Sequence, residues 1–245
     1  MRYGRIMIKL SGAATAGDSD AVFDRAAMGR IVDEVLSARN AGLDVAVVIG
    51  GGNIFRGASA GDWNIEPAEA DNIGMLGTVI NGVLLRAALT AQAPEYEIRL
   101  MSAIPIPSVA EPYIRLRAIN HLDKGSVVVL VAGIGQPFVT TDYPAVQRAV
   151  ELRCDAVLVA KHGVDGVYEA DPRANPNARR FKTISFEEAL KRDIRVMDQS
   201  ALILARDRGL PVHIFNFDDT GSVARICGGE DVGTLVTQDA VAELA

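Results

Sequence analysis

Val45–Gly57, VAVVIGGGNIFRG, is the stretch on which the reading of this chain turns. Its opening run of branched apolar residues suits a strand buried on both faces of a parallel sheet. The run stops at Gly50, Gly51 and Gly52, where no Cβ stands between backbone N–H groups and an approaching anion. Arg56 then brings a planar, permanently charged fork to the same mouth, a shape matched to phosphate oxygens. Taken alone, the stretch is equally a glycine turn beside a solvated arginine, since it is neither G-x-G-x-x-G nor a Walker A sequence. Its weight comes from repetition, because other apolar runs along the chain end the same way.

The first of these is GRIMIKL (Gly4–Leu10), closed by Ser11-Gly12. Lys9 interrupts its apolar end, and a cation there is costly to bury without an anionic partner, so it is expected to point into a site. The alternative is an edge lysine whose head reaches water. SVVVLV (Ser126–Val131) runs into Ala132-Gly133-Ile134-Gly135-Gln136-Pro137, after which Thr140-Thr141-Asp142 opens a helix with Pro144 in its first turn. Strand, glycine loop and hydroxyl-capped helix start together make an anion site. DAVLVA (Asp155–Ala160) ends at Lys161-His162-Gly163.

Between the strands, apolar residues fall at helical spacing over Asp24–Ala41, Ala68–Ala91, Tyr113–Leu122, Asp198–Arg208 and Gly221–Ile226. Ser185–Lys191 adds a helix with a capping box, Ser185 followed by Glu188. Glu97–Met101, Val212–Phe215 and Gly233–Thr237 read as further strands, and the polar, basic run Arg173–Lys182 as a loop. Gly74, Gly77 and Gly82 mark the long helix for close packing against another helix or a second subunit, and Asp71 is placed in its first turn, where a carboxylate favours the positive helix end. Alternating strands and helices predict an α/β fold with a mainly parallel central sheet. Nothing separates independent domains, and 245 residues suit one domain with two loose lobes dividing near residue 150.

With a net charge of −6 and a pI near 5.2, the chain is not a general binder of nucleic acid or anionic membrane. A phosphate site must then be a local basic pocket in an acidic protein. Cys154 and Cys227 stand far apart without metal-ligand spacing and read as buried thiols of a reducing compartment. No metal cluster is visible. No apolar run reaches bilayer length, and the chain enters a strand at once, leaving no room for a signal peptide, so a cytoplasmic location is expected.

Several segments together resemble the bacterial UMP kinases, a family of the amino-acid kinase superfamily. They are KLSG (9–12), IGGGN (49–53), FRG (55–57), DNIGMLGTVING (71–82) and RLMSAI (99–104), then the G-x-G-x-P-F-x-T-T-D run (133–142), VDGVYEADP (164–172) and RVMDQSA (195–201). The resemblance runs from about residue 4 to residue 237. It implies a three-layer α/β/α sandwich on about eight strands, ATP on the C-terminal half, UMP on the N-terminal half, Mg²⁺ at the phosphates, and a homo-hexamer built from dimers. On this chain it assigns Lys9, Leu10, Ser11 and Gly12, with Gly52 and Arg56, to the ATP phosphates, and His162, Tyr168 and Asp171 to the adenosine. Gly51, Asp71 and the loop Ile134, Gly135, Gln136, Pro137, Phe138, Val139, Thr140 and Thr141 are assigned to UMP. Lys9, Arg56 and Asp142 form the catalytic set, Asp142 matching the acidic residue that organises the cations.

The chain departs from the family's pattern where Ile134 replaces Thr and Gln136 replaces Asn, and where Ala13-Ala14-Thr15 follow KLSG. Two other functions therefore stay open: a kinase of the same fold with another acceptor, and a non-catalytic nucleotide- or oxyanion-binding protein.

Overall fold

The computed structural model describes residues 1–17, 21–170, 172, 174–175, 177–194 and 197–245. Asp171 lies outside the described residues, as do Arg195 and Val196 of the last family segment. Ten strands form one sheet in the order β10-β7-β9-β8-β6-β1-β2-β5-β3-β4. They are β1 (Arg5–Leu10), β2 (Asp44–Ile49), β3 (Ile98–Ser102), β4 (Glu111–Pro112), β5 (Val127–Val131), β6 (Ala156–Lys161), β7 (Phe181–Ser185), β8 (Val212–Asn216), β9 (Thr234–Thr237) and β10 (Glu243–Leu244). Two of them, β4 and β10, are two-residue edge pieces, and the other eight agree with the about eight that the resemblance implies. Pairing is parallel except between β8 and β9 and between β7 and β10.

The central strands β6, β1, β2 and β5 are in register, with Lys9 opposite Val48 on one side and Val159 on the other. Their near-continuous burial follows from helices on both faces. One face packs on α1 (Arg25–Asn40), α2 (Pro67–Gln92) and α7 (Ser222–Gly228) through Ile6, Ile8 and Leu10 of β1. The other packs on α3 (Arg115–Asp123), α4 (Asp142–Glu151), α5 (Phe186–Lys191) and α6 (Gln199–Asp207) through Met7, Val157 and Val159. Alternation along β1 therefore sends Lys9 to the α4 face, with Met7.

Four local expectations change. The basic run once taken for loop includes the start of β7, where Phe181 and Ile184 point inward. Asp71 belongs to the second turn of α2, whose N-terminus is Glu66-Pro67, so it does not cap the helix. Thr141 stands at the N-cap of α4 without a side-chain bond to it, so the hydroxyl cap is not made. Finally, α2 is long and apolar enough to cross a bilayer by length and composition, though 39% of its most apolar window is buried within the protein.

Gly82 of α2 packs against the sheet and Gly77 against the glycine turn rather than against another helix, while a Cβ on Gly74 would meet nothing within 4 Å. A Cβ on Gly82 would stand 2.9 Å from Leu100 Cδ1 and closer still to Val131, whereas on Gly29 of α1 it would meet nothing within 4 Å. The same substitution should therefore have opposite signs at the two sites. Gly82→Ala should destabilise by about 1 to 3 kcal/mol through overpacking. Gly29→Ala should stabilise by roughly 0.5 to 1 kcal/mol through helix propensity. Urea unfolding of both variants checks this, and a stabilised Gly82→Ala would mean that α2 sits farther from the sheet.

Candidate active site

All four central strands end at the same edge, where an open α/β sheet receives its ligands. At the end of β1, Lys9 is 6% exposed and its Nζ stands 2.6 Å from Asp142 Oδ1 at the first residue of α4. Burial alone would push the Asp142 carboxyl up, but the Lys9 ammonium, aided by Lys161 and the Asp198 N–H, outweighs it and holds the carboxyl below its ordinary range. The Asp198 N–H reaches Asp142 Oδ2 at 3.1 Å. Oδ1 accepts no well-directed hydrogen bond, so its contact with Lys9 is an ion pair that leaves lone pairs free. The edge lysine considered as the alternative is thereby excluded.

Beside this pair the turn Gly50–Gly52 is locked from beneath by α2. Gly50 N–H donates to Leu10 O at 2.9 Å, joining the ends of β1 and β2. Asn81, fully buried on α2, donates to Gly50 O at 2.6 Å and pairs amide to amide with Asn53. A Cβ on Gly51 would run into the Gly74 carbonyl, and one on Gly12 would come within 2.5 Å of Gly52 N. Glycine is required at both by this close approach rather than by φ. Gly51, Gly52 and Asn53 N–H donate to no protein acceptor among the described residues. The pattern is a backbone cradle for an anion.

A cavity of about 280 Å³ opens above this cradle, walled by α2 on one side and by the loop after β5 on the other. Gly51, Gly52, Arg56 and Asp71 line it, as do Gln136, Val139, Thr140 and Thr141. Ile134, Gly135, Pro137 and Phe138 do not. Phe138 instead adopts a positive φ of 66° and donates its N–H to Asp71 Oδ2 at 2.7 Å, tying the loop to α2. Thr78 makes a second tie, accepting Ala132 N–H at 2.7 Å. Arg56 Nε donates to Gly52 O at 3.2 Å, leaving its two terminal nitrogens without protein partners among the described residues.

The remaining expected residues lie on the other side of Lys9. Ser11 caps the turn Gly12–Thr15 by accepting Ala14 N–H, and the Leu10 side chain is in the core, so only its backbone faces the edge. His162 Nδ1 lies 2.9 Å from Asp218 Oδ1 just past β6, and Tyr168 donates to Asp165 at 2.5 Å beside β7. Neither touches the cavity above the cradle. Three residues the sequence reading passed over also enter the site: Asn81, Lys161 and Asp198, whose Oδ2 accepts the Thr140 hydroxyl at 3.0 Å. Polar residues inside the apolar faces of α2 and β6 were the available signal for the first two.

The amino acid kinase family profile matches residues 4–216, well over half of the chain. This chain belongs to the amino acid kinase family. Among its relatives, the uridylate kinase of Frankia alni is 55% identical over 96% of this chain and 91% of its own. That of Zymomonas mobilis is 43% identical over 97% of each. Of solved structures, the UMP kinase of Bacillus anthracis superposes with a TM-score of 0.97 at 51% identity, covering both chains in full. That of Ureaplasma parvum gives 0.90 at 33% identity over 97% of this chain and 100% of its own. The α/β fold and the resemblance expected from the motifs are borne out.

The Lys9–Asp142 pair has a property that can be measured without a substrate. The Asp142 carboxylate should stay ionised below the ordinary carboxylate range, and in Lys9→Met it should titrate higher than in wild type, because the strongest influence opposing burial is gone and only Lys161 and the Asp198 N–H still oppose it. Because its folded-state pKa is depressed, the pair's contribution to stability is present at neutral pH and fades as pH falls through that depressed value. Carbon-detected NMR titration of both proteins checks this; an unmoved Asp142 would mean that Lys9 is not its partner.

Proposed function

We propose that this chain is a UMP kinase, transferring the γ-phosphoryl group of ATP to UMP to give UDP and ADP for pyrimidine nucleotide synthesis. The observation that carries the reading is the Lys9–Asp142 pair at the junction between a phosphate cradle with its cavity and the C-terminal ends of β6 and β8. The close likeness to uridylate kinases supports it. UMP takes the cavity on the N-terminal lobe, about residues 1–150, and ATP the edge on the C-terminal lobe, about 151–245, past His162 and Tyr168.

The acceptor's phosphate oxygen is already anionic, so it attacks phosphorus without a general base. As the new P–O bond forms, the bond from the γ-phosphorus to the β–γ bridging oxygen breaks, and its electron pair leaves on ADP. The protein's task is alignment and charge compensation. Lys9 meets the transferring phosphoryl, Arg56 offers two free nitrogens to phosphate, and the cradle supplies N–H donors. One Asp71 oxygen holds the Phe138 N–H, and the other accepts from the ribose hydroxyls. A carboxylate beside a phosphate would repel it; beside a sugar it orients it.

Mg²⁺ fits this donor set. Among the described residues no cluster of three or more His, Cys, Asp or Glu could cage a metal, but the buried Asp142 Oδ1 keeps free lone pairs. A single carboxylate with substrate phosphates and waters is how Mg²⁺ is commonly held. Asp142 would hold Mg²⁺ there, and the ion would supply neutralisation of phosphate charge during transfer.

The chain acts as a cytoplasmic homo-hexamer, a trimer of dimers. Ile73, Leu76 and Ile80 form an exposed apolar stripe on α2 at helical spacing, a surface suited to a second copy. The buried thiols of Cys154 and Cys227, both pushed up to about 12 by burial, match a reducing compartment.

Titrating UMP against ATP and Mg²⁺ with coupled detection of ADP is the direct test, and ADP release that does not depend on UMP would overturn the assignment. Lys9→Ala should lower kcat by roughly 100-fold or more. Asp71→Asn keeps an oxygen for the Phe138 N–H, so the loop stays tied while the carboxylate charge is lost. It should raise the KM for UMP by about tenfold, the worth of one charged hydrogen bond, with the KM for ATP unchanged. A melting point that shifts while the acceptor KM does not would confine Asp71 to a structural role.

A further inference from the structure

Glu34 on α1 is 2% exposed, and it is the one charged residue on the buried side of that helix. Its Oε1 accepts the Gly221 N–H, and its Oε2 accepts the Val223 N–H at 3.0 Å. Both donors stand at the start of α7, a helix of seven residues with no side-chain cap of its own, Gly221 lying at its N-cap with a φ of 80°. So short a helix does not hold its own first turn, and the cap is brought to it from α1, 187 residues earlier. Burial pushes the Glu34 carboxyl above its ordinary value against the pull of the Val223, Gly221 and Ser222 N–H groups, so an anion is costly to keep here.

What this cap holds in place is the loop from Phe217 to Thr220. Lys161 and Asn216 stand opposite one another in β6 and β8, so the chain leaving β8 runs beside the turn leaving β6. Phe217 N–H donates to Lys161 O at 2.8 Å, and Asp218 N–H to Asn216 Oδ1 at 3.1 Å. The Asp218 carboxylate then bridges to the neighbouring turn, with Oδ1 2.9 Å from His162 Nδ1 and Oδ2 accepting the Gly163 N–H at 3.1 Å. Ser222, fully buried, donates its hydroxyl to Asp219 O at 2.7 Å and closes the loop onto α7. Strand β8 fixes the loop at one end and Glu34 at the other, with Asp218 between them.

We propose that Glu34 is a positioning residue for the donor nucleotide, holding the loop after β8 so that Asp218 fixes the His162 ring and the Gly163 turn at the ends of β6 and β8. It touches no substrate and acts through Asp218. The identity of the ligand rests on the kinase reading, which gives those strand ends to ATP. The loop lies on the far side of β1 from the acceptor cavity, whose walls are α2 and the loop after β5, so Glu34 governs the donor and leaves UMP alone.

Glu34→Gln leaves one oxygen in place and turns an amide NH₂ toward a backbone N–H, so the cap is broken with little change of volume. In calorimetric titration of the full chain with ADP in Mg²⁺, affinity should fall about tenfold. In turnover the KM for ATP should rise by a similar factor, with kcat and the KM for UMP nearly unchanged. Imidazole NMR of the ligand-free protein should show a displaced His162 resonance and an unmoved His121. Asp218→Ala alone should weaken ADP to a similar extent, and adding Glu34→Gln to it should weaken ADP no further. Full additivity of the two substitutions would make Glu34 a structural residue and overturn the proposal, as would an unchanged ADP affinity in Glu34→Gln. Should that variant not fold, Asp218→Ala, on a side chain 34% exposed, decides alone, since unchanged ADP affinity there removes the route. Wild type that binds no ADP would instead sink the donor site of the kinase reading, and the donor role of Glu34 with it, even where His162 moves.

Discussion

The buried contact between Lys9 and Asp142 is the constraint around which the rest of the site is built. Each charge is expensive in the interior without the other, and even together such a pair is weak support for stability. Its value is positional. It requires β1 to end at one register, so that Lys9 rather than Ile8 or Leu10 faces α4. It also requires α4 to begin where its first residue meets that strand end. The same pair keeps the empty site near neutrality, so the pocket can wait without an anion and still present an ammonium when one arrives. In a chain of net charge −6, that local arrangement keeps a cation available where the overall charge is acidic.

Around the pair, the donors are mostly backbone, and backbone is precise only where something holds it. α2 does that for both walls of the cavity. Asn81 clasps Gly50 and Asn53, Thr78 takes the Ala132 N–H, and Asp71 takes that of Phe138. One rigid helix therefore sets the spacing between the cradle after β2 and the loop after β5. Its glycines allow it to lie against the sheet closely enough to do so, Gly82 against Val131 and Leu100, and Gly77 against Gly51. An apolar α2 with small residues is thus explained without a membrane.

Most of the fold was legible because its determinants are local. Val- and Ile-rich runs ending in glycine can hardly be anything but central strands, and Lys9 was conspicuous as a lone cation inside one of them. What was missed depends on neighbours that the chain brings from far away. β7 looked polar because only Phe181 and Ile184 face inward, and its partners β9 and β10 lie near the end of the chain. Thr140 and Thr141 looked like caps, yet the Thr140 hydroxyl goes to Asp198, a residue 58 positions later. Lys161 read as the end of a strand, since its cationic head in an apolar run was visible but the neighbour that puts it on one face with Lys9 lies about 150 residues away in the chain.

The departures at Ile134 and Gln136 illustrate the same limit in reverse. Compared position by position, both fall in the acceptor loop and seem equally able to alter the acceptor. In space they differ, because Gln136 lines the cavity and Ile134 does not. A hydroxyl lost at Ile134 removes nothing that the cavity wall presents, so it gives little reason to look for a different acceptor. Replacing Asn with Gln at 136 keeps the amide and lengthens its reach by one methylene, a change that moves a hydrogen-bonding group without deleting it. The groups that remain unaltered (the cradle, Arg56, Asp71 and the Lys9–Asp142 pair) are those to which the proposed function gives phosphate and sugar. On the proposed function, any narrowing of acceptor choice then rests with Gln136, the one of the two that lines the cavity.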